Sequence, residues 1–140
     1  TLLTSQDVAD AKQAGAQFGV SPGVTDALLT ACESESLPLL PGAATATEAM
    51  SLLAKGYNVL KFFPAEANGG VPVLMSLAGP LPQVRFCPTG GITPENVERY
   101  LELSNVLCVG GSWVAPQAHM EAERWDDIQE MARCASELGG

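Results

Sequence analysis

Val59-Leu60-Lys61-Phe62-Phe63 is an apolar, strand-forming run broken by a single cation. It does not alternate apolar with polar residues, as a half-exposed antiparallel strand would. Continuous apolar runs belong to strands covered on both faces, the condition of a parallel sheet. Four other runs have the same character: Phe18 to Val20, Leu37 to Leu40, Val84 to Cys87 and Val106 to Val109. Successive runs lie roughly 20 to 25 residues apart, the length of a strand plus a crossover helix. The repeat is therefore strand then helix, and the fold class is α/β.

The intervening segments carry helix signals. Thr45 and Glu48 have capping-box spacing, and Gly56 falls at the expected C′ position. Thr93-Pro94 reads as an N-cap with proline at the first helical position, followed by Val97, Tyr100 and Leu101 at helical spacing. A further helix is expected near Val71-Pro72. After Trp125, the residues Ile128, Met131, Ala132, Ala135 and Leu138 form an apolar stripe expected to close the chain against the sheet. Alternating strands and helices admit an open doubly wound sheet or a (β/α)8 TIM barrel. Glycine-rich loops after the last two runs favour the barrel, whose phosphate sites are often built there. Five strands do not close eight, and 140 residues is short of the roughly 200 such barrels need. The expectation is a partial barrel, residues 1–140 forming the C-terminal portion of a single (β/α)8 unit. Thr1 opens the chain in a run that reads as the end of a strand leading into a helix, which suggests a cut.

Composition narrows the function classes. Apolar residues make up 46% of the chain and charged residues 16%, too apolar a balance for disorder. No run approaches the ~18 apolar residues of a membrane span, and the N-terminal residues lack a signal-peptide pattern, so a cytoplasmic protein is expected. The net charge of -9, with seven dispersed basic residues, argues against nucleic acid. Cys32, Cys87, Cys108 and Cys134 are too scattered for a zinc site. They fit a reducing compartment, and Cys87 and Cys108 read as core rather than as nucleophiles.

Period-2 geometry puts Val59, Lys61 and Phe63 on one strand face and Leu60 and Phe62 on the other. Lys12 and Lys55 fall near helix ends, in solvent, whereas Lys61 is committed to the sheet. Burial is expected to lower its pKa and free the amine lone pair to attack a carbonyl. The alternative is that it marks an edge strand or pairs with a buried carboxylate. Pro64 ends the strand, which puts Lys61 close to the rim where barrel sites lie. Cys87-Pro88-Thr89-Gly90-Gly91 and Val109-Gly110-Gly111-Ser112 read together as an anion cradle, because paired glycines let backbone N–H groups approach a phosphate. Arg85 opens its strand at the far end from such a ligand. Pro22 is a candidate rim residue, Trp113 is expected to pack beneath the glycine loop, and His119 reads as a surface residue. Glu66, the acid nearest Lys61 in sequence, has no assigned role.

GAQFGVSPG, KFFPAEANGG, VRFCPTGGI and VLCVGGSW stand in an order and spacing that resemble the 2-dehydro-3-deoxy-phosphogluconate (KDPG) aldolases, including forms that also act on 4-hydroxy-2-oxoglutarate. The likeness runs from Thr1 to the C-terminus. It implies a cytoplasmic homotrimeric TIM barrel with neither metal nor organic cofactor. The reaction implied is class I cleavage of 2-dehydro-3-deoxy-6-phosphogluconate, a step of the Entner-Doudoroff pathway, to pyruvate and glyceraldehyde 3-phosphate. By the same resemblance Lys61 forms the imine, Gly90, Gly91 and Ser112 bind phosphate, and Thr89 lies near it. Thr1 would contact the carboxylate end, Pro22 would line the site and Phe63 would flank the imine. The family's acid/base glutamate and carboxylate-binding arginine precede the position of Thr1, so the 140 residues alone are expected to be weak or inactive. The alternatives are 4-hydroxy-2-oxoglutarate or phosphogalactonate as substrate, or a non-catalytic barrel fragment.

Overall fold

The computed structural model describes residues 1–138; Gly139 and Gly140, the end of the expected domain, lie outside the described residues. Strands β1 (Gly19–Val20), β2 (Leu39–Leu40), β3 (Gly42–Ala43), β4 (Val59–Phe62) and β5 (Arg85–Pro88) alternate with helices, and every pairing among them is parallel. β2 and β3 are one run split at Pro41: β2 pairs with β1, and β3 pairs with β4 on the other side. The Pro41 carbonyl continues the ladder by accepting from Lys61 N–H at 2.8 Å. β5 lies beyond β4. At the opposite side, Leu2 N–H donates to the Val20 carbonyl at 2.9 Å, so the first residues add to the sheet beside β1.

The helices are α1 (Ser5–Gln13), α2 (Asp26–Ser34), α3 (Ala46–Ala54), α4 (Gly70–Ala78), α5 (Val97–Leu101), α6 (Gln117–Glu121) and α7 (Trp125–Ser136), with a 3₁₀ turn at Ser112–Val114. Local chemistry accounts for several ends. Thr45 and Glu48 complete the expected capping box of α3, and Gly56 takes φ +91° just beyond the Lys55 C-cap. Thr4 and Asp7 build a second box at α1.

Leu60 and Phe62 point to the helices, both fully buried with Leu52, Leu74, Val84, Phe86, Val97 and Tyr100. Phe62 and Phe86 meet edge to face at 6.0 Å between ring centroids. Fully burying a side chain of this kind contributes roughly 1.5–3 kcal/mol, so this cluster anchors β4 and β5. Leu2, Val8, Leu28, Cys32 and Leu37 form a second cluster under α1 and α2.

Four expectations are corrected. The run Val106 to Val109 forms no regular strand; it meets β5 only through the bridges Phe86–Val106 and Thr89–Gly110. Between those bridges it takes one step more than β5 does, an irregularity of the bulge type that breaks the ladder. Its outer side is uncovered, which leaves Cys108 exposed rather than in the core, with Leu107 at 58% exposure. Thr93-Pro94 opens a turn instead of a helix. The Asn96 side chain accepts from Thr93 N–H at 2.8 Å and donates to the Gly91 carbonyl at 3.0 Å, delaying α5 to Val97. Finally, the stripe on α7 leaves Ile128, Met131, Ala135 and Leu138 only half-buried and Ala132 exposed, because the helix packs on α6 and the 3₁₀ turn instead of a regular strand.

Candidate functional site

The other face of β4 carries Val59 and Lys61, both half-buried. Period 2 thus separates them from the core as expected, but the lysine is not sealed in an apolar interior. Among the described residues no strand closes over this face. Lys61 lies in register with Gly42 of β3 on one side and Cys87 of β5 on the other. Its Nζ sits 4.7 Å from the centre of the Phe63 ring, within range of a cation–π contact.

The loops beyond β4 and β5 meet at the same end. A cleft of about 310 Å³ there is lined by Lys61, Phe63, Thr89, Gly90, Gly91, Ile92, Gly110, Gly111 and Ser112. Eight residues singled out from the sequence share it: Lys61, Phe63, Thr89, Gly90, Gly91, Gly110, Gly111 and Ser112. Gly90 and Gly91 have φ of +97° and +78°, values that favour glycine. Thr89 Oγ1 is buried without a hydrogen-bond partner at this cleft. Trp113 lies directly on Gly111, where any Cβ would enter its ring.

Thr1 and Pro22 do not line this cleft. Thr1 is exposed, one residue before the Leu2 that bonds to Val20. Pro22 packs its backbone against Gly42, so one strand separates it from Lys61. Arg85 sits at the start of β5, where its guanidinium donates to the Pro82 and Val84 carbonyls, away from the glycine loops. His119 is half-buried, with Nε2 4.0 Å from the Asp127 carboxylate.

Two features were not legible from the sequence. The first is the environment of Cys87: burial, and then the neighbouring Cys108 thiol, push its pKa up to about 12, while Lys61 opposes the shift. The second is Glu66. Its carboxylate accepts a hydrogen bond from the Tyr100 hydroxyl on α5, 34 residues on in sequence. Burial, together with that carboxylate, raises the Tyr100 pKa well above the phenol's ordinary value, so the group stays a donor. No periodicity or motif joins these two positions.

The KDPG and KHG aldolase family model matches residues 1–131. The KHG/KDPG aldolase of Escherichia coli K12 is 51% identical over 137 residues, covering 98% of this chain and 64% of that protein. The 2-dehydro-3-deoxy-phosphogluconate aldolase of Dickeya dadantii is 48% identical, covering 95% of this chain and 62% of that protein. The crystal structure of the KDPG aldolase from Legionella pneumophila, with pyruvate captured as a covalent carbinolamine, superposes with a TM-score of 0.91. It is 47% identical, with coverage of 96% of this chain and 66% of that one. The chain therefore spans a little under two thirds of the length of these relatives.

Proposed function

The chain belongs to the KDPG and KHG aldolase family, and from that premise we propose that the protein it forms part of is a class I aldolase acting on a phosphorylated 2-keto-3-deoxy acid. The carrying observation is that Lys61 shares one cleft with the glycine loops Gly90-Gly91 and Gly110-Gly111. In this reading a nucleophile and an anion cradle share a space of about 310 Å³.

In this reading the Lys61 amine attacks the keto carbon, and loss of water leaves an iminium whose positive nitrogen draws electrons from the neighbouring C–C bond. As the substrate's C4 hydroxyl loses its proton, the C3–C4 bond breaks, releasing the aldehyde and leaving an enamine. Protonation at C3 and hydrolysis then release pyruvate and free Lys61. Phe63 flanks the reacting nitrogen, Thr89 offers the unpartnered hydroxyl, and the Gly90, Gly91 and Ser112 region holds phosphate. Thr1 at the carboxylate end and Pro22 as a lining residue belong to this proposal through the family resemblance, since neither lines the Lys61 cleft. This reading assigns the acid/base role to none of the residues that line the cleft. A cytoplasmic homotrimer is the assembly that goes with this proposal; among the described residues no helix is long and apolar enough to cross a membrane.

The test is borohydride reduction of the full-length protein with labelled pyruvate. Label on Lys61, with K61M lowering kcat on the order of 10⁴-fold or more, supports the mechanism; label at another residue refutes it. A second substrate, 4-hydroxy-2-oxoglutarate, is favoured by the double name of the Escherichia coli relative. It carries no phosphate, so kcat/KM compared between the two substrates decides how much the cradle contributes.

A further inference from the structure

We propose that Glu66 and Tyr100 are a positioning pair, holding the Gly90-Gly91 loop at a fixed distance from Lys61, so that an anchored phosphate sets the keto carbon against the lysine amine. This rests on the aldolase reading above. Neither residue lines the cleft, so any effect they have on the reaction passes through the loop.

The two loops are laddered together past the ends of their strands. Thr89 N–H donates to the Phe62 carbonyl at 2.9 Å, Ala65 N–H to the Thr89 carbonyl at 2.8 Å, and Glu66 N–H to the Gly90 carbonyl at 3.1 Å. These backbone bonds stop at Gly90, and the Glu66 side chain lies against the next residue, Gly91. A Cβ on Gly91 would come within 2.7 Å of Glu66 Cβ and Cγ. A Cβ on Gly70 would come within 2.8 Å of the Tyr100 hydroxyl and 3.0 Å of Glu66 Oε1. Both glycines leave space that the pair occupies.

Tyr100 is 1% exposed and seated in the main core by α5. Its hydroxyl therefore ties the surface loop after β4 to the rigid body behind the sheet. On the other flank, Asn96 Nδ2 holds the Gly91 carbonyl from the turn that precedes the same helix. The loop is clamped between Glu66 and Asn96, both referenced to α5. A misplacement of about 1 Å between an anchored group and a reacting group costs on the order of 10²-fold in rate, so a clamp at this point bears on catalysis without touching substrate.

The experiment compares Y100F, E66A and E66Q in the full-length protein. Three readouts are taken: kcat and KM with the phosphorylated keto acid, the rate of borohydride trapping of pyruvate at Lys61, and inorganic phosphate affinity by calorimetric titration. Y100F and E66A are expected to raise KM and weaken phosphate binding about 10-fold while trapping stays within about twofold. E66Q keeps an oxygen acceptor for Tyr100 and should stay within about threefold of wild type. Equal loss of trapping and of phosphate affinity would reduce the pair to general stability and overturn the proposal, as would unchanged phosphate affinity in both Y100F and E66A. If Y100F does not fold, the contrast between E66A and E66Q decides. If wild-type protein traps no pyruvate at Lys61, the aldolase reading falls, while phosphate affinity still decides whether the pair holds the cradle.

Discussion

Lys61 and Cys87 are register partners across β4 and β5, on the same face of the sheet and beside the glycine loops. The thiol is nevertheless unsuited to covalent chemistry, since burial and the adjacent Cys108 place its pKa at about 12. At pH 8 that leaves roughly one thiolate in 10⁴. Brief treatment of native protein with iodoacetamide at pH 8, followed by peptide mass spectrometry, should label the exposed Cys134 and spare Cys87 until denaturant is added. Fast labelling of Cys87 in native protein would contradict the burial described.

Gly91→Ala combines two penalties. Its φ of +78° disfavours any side chain, and the new Cβ would press on Glu66 at 2.7 Å. A loss of about 1–3 kcal/mol of stability is expected, read as a lower urea midpoint at unchanged slope. Gly79→Ala is the control, because nothing lies near a Cβ there and φ is negative.

Phe62→Ala removes a fully buried ring from the face of β4 opposite Lys61 and ends the edge-to-face contact with Phe86. Truncations of this kind cost about 3–5 kcal/mol. Thermal unfolding should show a Tm drop larger than that for any single substitution on exposed α7 positions such as Glu130. A small drop would mean that the cluster behind β4 and β5 is not the stabilising core.

The box at the start of α3 makes stability depend on pH. Backbone N–H donation from Ala44, opposed by partial burial and helped by Thr45, holds the Glu48 carboxyl below its ordinary 4.5. A depressed folded-state pKa means the contribution is complete above about 4.5 and lost as pH falls through the lower folded value. Glu48→Gln should therefore flatten the stability profile below pH 4.5 and lower stability at pH 7, where the carboxylate's contribution is complete, with the gap to wild type closing as pH falls through the lower folded value. Thr45→Ala should cost about 1 kcal/mol at neutral pH.

Local rules reached far into this molecule wherever neighbours in sequence do the work. Thr45, Glu48 and Gly56 delimit α3 because capping is settled within a few residues. They failed at Thr93-Pro94, where Asn96 turned back to bond Thr93 and Gly91 and displaced the helix start to Val97. The failure at Cys108 has another origin. An apolar run states what a strand would bury, and it cannot state whether a ladder forms or whether its outer side is covered.

The sequence by itself determined the parallel α/β repeat, the separation of Lys61 from Leu60 and Phe62, and Gly56 at the end of α3, since strand period and helix capping are properties of single residues and near neighbours. Only the tertiary structure decided that Lys61, Phe63, Thr89, Gly90, Gly91 and Ser112 face one cleft while Thr1 and Pro22 stand outside it. It alone joined Glu66 to Tyr100. Those outcomes depend on which strands lie side by side and on how far each loop extends past its strand, and the packing of the whole sheet against its helices sets both.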